Sequence, residues 1–240
     1  MQDVVLTSPV PSVCADLLAN GQVDAALVPV IEFQRIKDLL IVPNVCVGST
    51  GKVRSVVLVS KKEELRAIRN VVLDESSRTS ATLIKVIFHE FVGTDPSWSH
   101  SQPDLQMMLE DNDAALIIGD PGMTFERKGL YVFDLASLWH QYTGLGFVFA
   151  MWMTHSNTAQ RIQAIDFARA RDEGLEHIEE IVNDSQERIS LGREQLHEYL
   201  TQNITFFMDE SMRTGLDHFF HLAKRHGLIP SVLPARFVEP

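Results

Sequence analysis

The chain has 240 residues, 45% of them hydrophobic and 22% charged, which is enough to bury a core as one domain or two small intertwined lobes and too apolar for a disordered chain. A formal charge of −11 argues against nucleic acid or an anionic membrane as the main partner. No apolar run reaches the roughly 18 residues that a spanning helix needs, and MQDVVLTSPVPS lacks the basic stretch and apolar core of a secretory signal, so no membrane partner and a cytoplasmic location are expected.

Pro9 to Leu18 reads as a helix begun through prolines, with Ser12 as its cap and Gly21 as its stop. Val23–Val30 is a short buried strand, and Asn44 to Lys52 a turn-rich segment with Gly48, Thr50 and Gly51. Val53–Ser60 is a second strand and Lys61 to Arg69 a short helix. Val71–Leu73 then forms a strand, followed by an elbow from Asp74 to Ser80. From there Leu83, Ile84, Ile87, Phe88 and Phe91 fall on one face of a helix. Pro103–Glu110 is a short amphipathic helix, Ala114–Ile118 a strand ending at Gly119-Asp120-Pro121, and Leu130–Leu135 another strand. Phe147–Met153 is a strand or a buried crossover. Beyond Ser156 the pattern turns helical over Thr158–Val182, Leu191–Phe207 and Asp209–Gly227, the last capped by Asp209 and ended by Gly227. This alternation predicts α/β packing with largely buried sheets. A central lobe over 53–148 is expected, with 1–52 and 149–240 forming the other.

Candidate chemistry collects where strands end, the usual place for ligands in open α/β sheets. The elbow is the strongest case. Ser76, Ser77, Arg78, Thr79 and Ser80 crowd four hydroxyls and a guanidinium onto a helix start, whose free N–H groups and dipole suit a carboxylate or phosphate. An ordinary helix cap would need only one of those hydroxyls. Arg78 can fork a ligand carboxylate or pair with Glu75 or Asp74. Arg54-Ser55 follows the Gly48–Gly51 turn, and Ser55 either holds a substrate oxygen or is a strand serine satisfied by the backbone. No G-x-S-x-G elbow marks a serine nucleophile. Asp120 faces a ligand or caps the turn before Pro121. Thr143-Gly144-Leu145-Gly146-Phe147 is a glycine-rich approach to an apolar run, where Phe147 is core with the option of forming a pocket wall.

Metals and nucleotide cofactors are not expected. His89, His100, His140 and His155 are scattered, and His218, His221 and His226 include only one same-face pair without an H-E-x-x-H motif. Neither a Walker loop nor G-x-G-x-x-G occurs. Cys14 and Cys46 read as buried thiols rather than a disulfide or metal pair.

Several stretches resemble the MqnA family of menaquinone-biosynthesis enzymes, the chorismate dehydratases of the futalosine route. They are PSVCADLLANGQVDAALVPVIEFQRI (11–36), GKVRSVVLVSK (51–61), VVLDESSRTSATL (71–83), DAALIIGDPG (113–122) and TGLGFVFAMW (143–152). The resemblance implies a two-lobed α/β fold similar to type II periplasmic binding proteins, with a ligand cleft between the lobes. It also implies conversion of chorismate, a small dicarboxylate, to 3-[(1-carboxyvinyl)oxy]benzoate and water without metal or organic cofactor, by a monomer or homodimer. Carried over, Ser55 matches the family serine given a catalytic or substrate-orienting role. Ser76, Ser77, Arg78, Thr79 and Ser80 match the family's elbow and are assigned to carboxylate binding, and Asp120 matches the aspartate of its IGD segment. Thr143, Gly144 and Phe147 match its segment at the cleft, and Arg54, beside Ser55, is counted with them as a substrate-binding candidate.

Two departures stand out. Gly146 replaces a family proline, which implies a looser hinge or wall. The family's first strand and its Tyr-Leu-Asn segment, whose asparagine belongs to the active site, have no counterpart, so the chain reads as a truncated representative. The alternatives are a sister enzyme of the same pathway, 1,4-dihydroxy-6-naphthoate synthase, and a non-catalytic binder of a small aromatic carboxylate. SSRTS is the dehydratase version of the elbow.

Overall fold

Pro11 opens α1 (Pro11–Ala19), where a missing N–H removes no helix bond, and Gly21 leaves it at φ +65°. Ser12 lies inside the helix, and Val10 occupies the cap position without a side-chain bond. The computed structural model describes residues 4–186 and 188–239. Eight strands follow among them: β1 (Ala26–Pro29), β2 (Leu39–Ser49), β3 (Val56–Ser60), β4 (Asn70–Asp74), β5 (Ser97–Ser101), β6 (Ala114–Ile118), β7 (Tyr131–Asp134) and β8 (Phe147–His155). The further helices are α2 (Arg78–Val86), α3 (Leu105–Glu110), α4 (Asp120–Thr124), α5 (Leu135–Thr143), α6 (Ala159–Ile162), α7 (Phe167–Glu176), α8 (Ile178–Gln186), α9 (Arg193–Glu198) and α10 (Glu210–Arg225). This is a mixed α/β fold.

The strands form two sheets. One has three antiparallel strands in the order β1-β8-β2. The other has five, ordered β5-β4-β6-β3-β7, with β4 parallel to β5 and β6 and with β3 antiparallel to β6 and β7. Register then places the site: Val56 pairs with Ile118, Val57 with Asp134 and Asp74 with Ser101. The carboxyl ends of β4, β5, β6 and β7 and the amino end of β3 therefore share one edge of the five-stranded sheet.

Burial follows the apolar pattern. All of β3 is buried, as are Val71, Val72 and Leu73 of β4. Leu83 and Ile84 of α2, with Ile87 and Phe88 of the π-helical turn Ile87–Val92 that continues it, dock into a core that extends through Leu58, Trp139, Phe147 and Phe219. Each such side chain contributes about 1.5–3 kcal/mol on leaving water. Helix α10 covers β8 and α2, and α7 covers β2.

Several elements differ from the sequence expectation. Asn44–Lys52 is not simply a turn: β2 runs through Ser49, absorbing Asn44 (φ +63°) and Gly48 as irregularities against β8. Lys61–Arg69 holds only a short 3₁₀ turn, Leu65–Ala67. Strand β5 (SWSHS) carries no apolar alternation because it is a largely exposed edge strand paired to β4. Helix α5 follows β7 directly, capped by Asp134, which accepts from Ser137 N. Helix α3 is capped by Asp104 rather than begun at Pro103. The long pattern from Thr158 breaks into three helices, with Asp166 capping the second. Leu191–Phe207 becomes α9 and a π-helical turn, Tyr199–Asn203, which ends before Thr205 bridges Gly48. Helix α10 matches its expected limits, with Asp209 accepting from Met212 N and Gly227 at φ +69°.

Candidate functional site

Ser55 stands at the mouth of β3, buried at 5% exposure. The bend before it places Arg54 at φ +68°, a strained conformation for a residue with a Cβ. Asp134 holds that bend: Oδ2 accepts from Arg54 N at 2.6 Å and Oδ1 from Val53 N at 3.2 Å, while the same carboxylate caps α5. The Ser55 carbonyl accepts from Gly119 N at 2.8 Å, tying β3 to the loop after β6. Its hydroxyl accepts from the phenol of Tyr199 at 3.0 Å. Beside it, the Arg54 guanidinium lies 3.8 Å from Glu198.

The elbow after β4 is built on Asp74, 1% exposed. Its carboxylate accepts from Ser76 N and Ser76 Oγ and, at 3.4 Å, from Ile118 N of β6. Ser77 is then the residue at the N-cap of α2, yet its side chain caps nothing. Its Oγ is buried without a partner among the described residues, although an unpaired buried hydroxyl is disfavoured by roughly 1–3 kcal/mol. Thr79 Oγ1 accepts from Ile31 N at 3.3 Å, and Ser80 is buried in the same turn. The first turn of α2 thus leaves N–H groups and one hydroxyl ready for an anion.

Arg78 pairs with neither Glu75 nor Asp74. Its two arms reach Asp16 of α1 at 2.6 Å and the buried Glu32 at 3.3 Å. Burial works against the guanidinium charge, but the Asp16 hydrogen bond and the Glu32 and Asp16 charges outweigh it and raise its pKa. A ligand carboxylate must compete with Asp16 and Glu32 for Arg78. Asp120 is not a side-chain cap: it is the exposed first residue of α4, and Gly119 occupies the cap position at φ +67°. The Asp120 side chain reaches no hydrogen-bond partner among the described residues.

Ser55, the Ser76–Ser80 elbow and Gly119-Asp120 thus meet at one sheet edge, but Thr143–Phe147 does not join them there. Thr143 Oγ1 donates to Trp139 O and accepts from Leu145 N, finishing α5, and Gly144 at φ +71° is the helix stop. Phe147 is 1% exposed, with Trp139, Phe149 and Phe219 against its ring; it is core rather than a pocket wall. Gly146 is not loose either. Its N–H donates to Ser211 Oγ, its carbonyl accepts from Trp139 Nε1, and α10 lies close over it at Gly215.

Two open cavities lie elsewhere. Thr143 lines one of about 670 Å³ with Phe91, Tyr142 and His218, and Arg171, Phe207 and Arg213 line another of about 610 Å³. Neither contains Ser55 or the elbow, so the convergence of strand ends, not cavity volume, marks the candidate site. Among the described residues no group of three His, Cys, Asp or Glu side chains is placed to hold a metal, and no helix is long and apolar enough to cross a membrane. Cys14 and Cys46 are free thiols. Burial pushes Cys46 up to about 12, with Arg171 opposing the rise and Asp209 adding to it, so it is not a nucleophile at neutral pH.

Tyr199 is the residue that sequence reading missed. It lies in the helical C-terminal third, 144 positions from the serine it contacts, and no local pattern distinguishes it from a helix-face aromatic. Burial pushes its phenol pKa up; the bond to Ser55 lowers it in part, and the Asp120 charge raises it further. Four residues on, Asn203 is 8% exposed and its amide oxygen is also buried without a partner among the described residues.

Comparison with known proteins agrees with this architecture. A family profile described as menaquinone biosynthesis matches residues 1–225. A chorismate dehydratase of Thermus thermophilus is 30% identical over 229 residues, spanning 88% of this chain and 83% of that one. A protein of Archaeoglobus fulgidus superposes with a TM-score of 0.64 at 18% identity, covering 91% of this chain and 85% of its own. The periplasmic aliphatic sulphonate binding protein of Escherichia coli also gives 0.64, at 14% identity over 97% of this chain and 82% of its own. At these identities the structural likeness is one of fold, that of periplasmic binding proteins.

Proposed function

The chain belongs to the MqnA family of menaquinone-biosynthesis proteins, and on that premise we propose that it is a chorismate dehydratase, forming 3-[(1-carboxyvinyl)oxy]benzoate and water. The observation that carries this reading is the elbow. A buried Ser77 hydroxyl without a partner, beside the free N–H groups of α2, is what a substrate carboxylate would complete. The chain's similarity to a curated chorismate dehydratase supports that choice of carboxylate.

In the proposed reaction a C–H and a C–O bond of the ring break, the proton and hydroxide leave as water, and the ring becomes aromatic. Aromatisation supplies the driving force, so the protein's task is orientation and charge stabilisation. The α2 N-terminus with Ser77 and Ser80 holds one carboxylate, with Arg78 available if it leaves Asp16 and Glu32. Ser55 orients a second substrate oxygen, and the substrate's own enolpyruvyl carboxylate accepts the ring proton. The two sheets then act as two lobes facing one ligand, in a cytoplasmic biosynthetic setting.

The test is incubation with chorismate and separation of products by chromatography with mass detection, beside a Ser55→Ala control. Loss of one water, suppressed at least about tenfold in the variant, is expected. A folded chain that leaves chorismate unchanged would sink the proposal, and binding without turnover would identify a non-catalytic binder.

A further inference from the structure

We infer that Tyr199 is a positioning residue for Ser55: its phenol donates to Ser55 Oγ and so commits the serine's own proton to the bound ligand. The inference rests on the dehydratase reading and adds to it the device that orients Ser55.

Geometry carries it. Ser55 is held on two sides, its carbonyl by Gly119 N at 2.8 Å and its Oγ by Tyr199 at 3.0 Å. A serine hydroxyl has one proton and two acceptor lone pairs. With the phenol donating to one lone pair, the Ser55 proton has no acceptor among the described residues. A hydroxyl that accepts one bond is a better donor in the next, and that favours an anionic oxygen of the ligand. The arrangement makes Ser55 a donor rather than a nucleophile. Burial keeps the phenol protonated, and the Asp120 charge acts in the same direction, so Tyr199 neither activates Ser55 as a base nor ceases to donate at neutral pH.

The backbone supports the same reading. Tyr199 begins the π-helical turn that ends α9, a form rarer than the α-helix and often found at functional sites. The partner side is strained as well, with Arg54 at φ +68° next to Ser55. Arg54–Glu198 runs beside Ser55–Tyr199, so two consecutive residues on each side meet. Asn203, with its buried and unpartnered amide oxygen, follows one turn later.

The experiment is a double-mutant cycle of Ser55→Ala and Tyr199→Phe, read by steady-state chorismate turnover, chorismate affinity and thermal melting. Tyr199→Phe is expected to fold and to lower kcat about tenfold, with KM moving less than about threefold, because a loosely held serine orients poorly but still binds. Added to Ser55→Ala, it is expected to cause no further loss, since it acts only through that hydroxyl. Full activity in Tyr199→Phe, additive losses, or failure of Tyr199→Phe to fold each overturns the inference while leaving the dehydratase reading intact. If the wild-type chain binds chorismate without turnover, the dehydratase reading fails alone. The cycle is then decided in affinity, where coupled losses support the positioning role and additive losses overturn it. A folded wild-type chain with neither binding nor turnover overturns both.

Discussion

Ser77 separates stability from function more clearly than any other residue of the elbow. Its position at the start of α2 would ordinarily make it a stabilising cap, yet its hydroxyl is buried and bonds to nothing among the described residues. Ser77→Ala is therefore expected to leave the melting midpoint unchanged or raise stability by about 0.5–1 kcal/mol, while weakening chorismate binding about tenfold. Calorimetry and thermal melting on the same sample check both halves. Loss of stability would show that the serine is a working cap. Ser77 was visible in the sequence because hydroxyls beside a helix start are a local signal. That Arg78 would turn to Asp16 and Glu32 was not visible, because both partners come from distant segments brought together by packing.

At the scale of elements, two glycines decide how α10 meets β8. Gly215 lies inside the helix, where alanine would ordinarily gain about 0.5–1 kcal/mol. Here a Cβ would overlap the carbonyl oxygen of Gly146, which is backbone and cannot rotate away. Overpacking of that kind costs about 1–3 kcal/mol, so it outweighs the helix gain. Gly215→Ala is expected to lower stability by about 1–2 kcal/mol in denaturant unfolding; a stabilised variant would mean that α10 is free to shift outward. As a replacement for a family proline Gly146 implied looseness, but the neighbour that needs its small size is Met212, on a helix much later in the chain. Asp134 gives a similar lesson, since one side chain caps α5 and holds the Arg54 bend. Only the cap is local to the sequence.

Tyr199 joins the C-terminal helical region to the mouth of β3, so its ionisation bears on the whole molecule. Burial raises its pKa in the folded state. The associated stability is fully present below the unfolded value of about 10 and is lost as pH rises through the higher folded value. An alkaline absorbance titration of the three tyrosines, followed also by circular dichroism, is expected to show the last phenolate forming as native structure is lost. In Tyr199→Phe that last step disappears; its persistence would assign it to another tyrosine. The sequence by itself determined the α/β class, the buried strands β3, β4 and β6, the limits of α10 and the hydroxyl-rich elbow. Each rests on apolar periodicity or capping chemistry confined to a few neighbouring residues. Only tertiary structure decided that β5 exists, that Arg78 turns to Asp16 and Glu32, and that Tyr199 rather than the Thr143 segment meets Ser55. Those outcomes depend on which distant surfaces pack together, and short-range patterns do not carry that information.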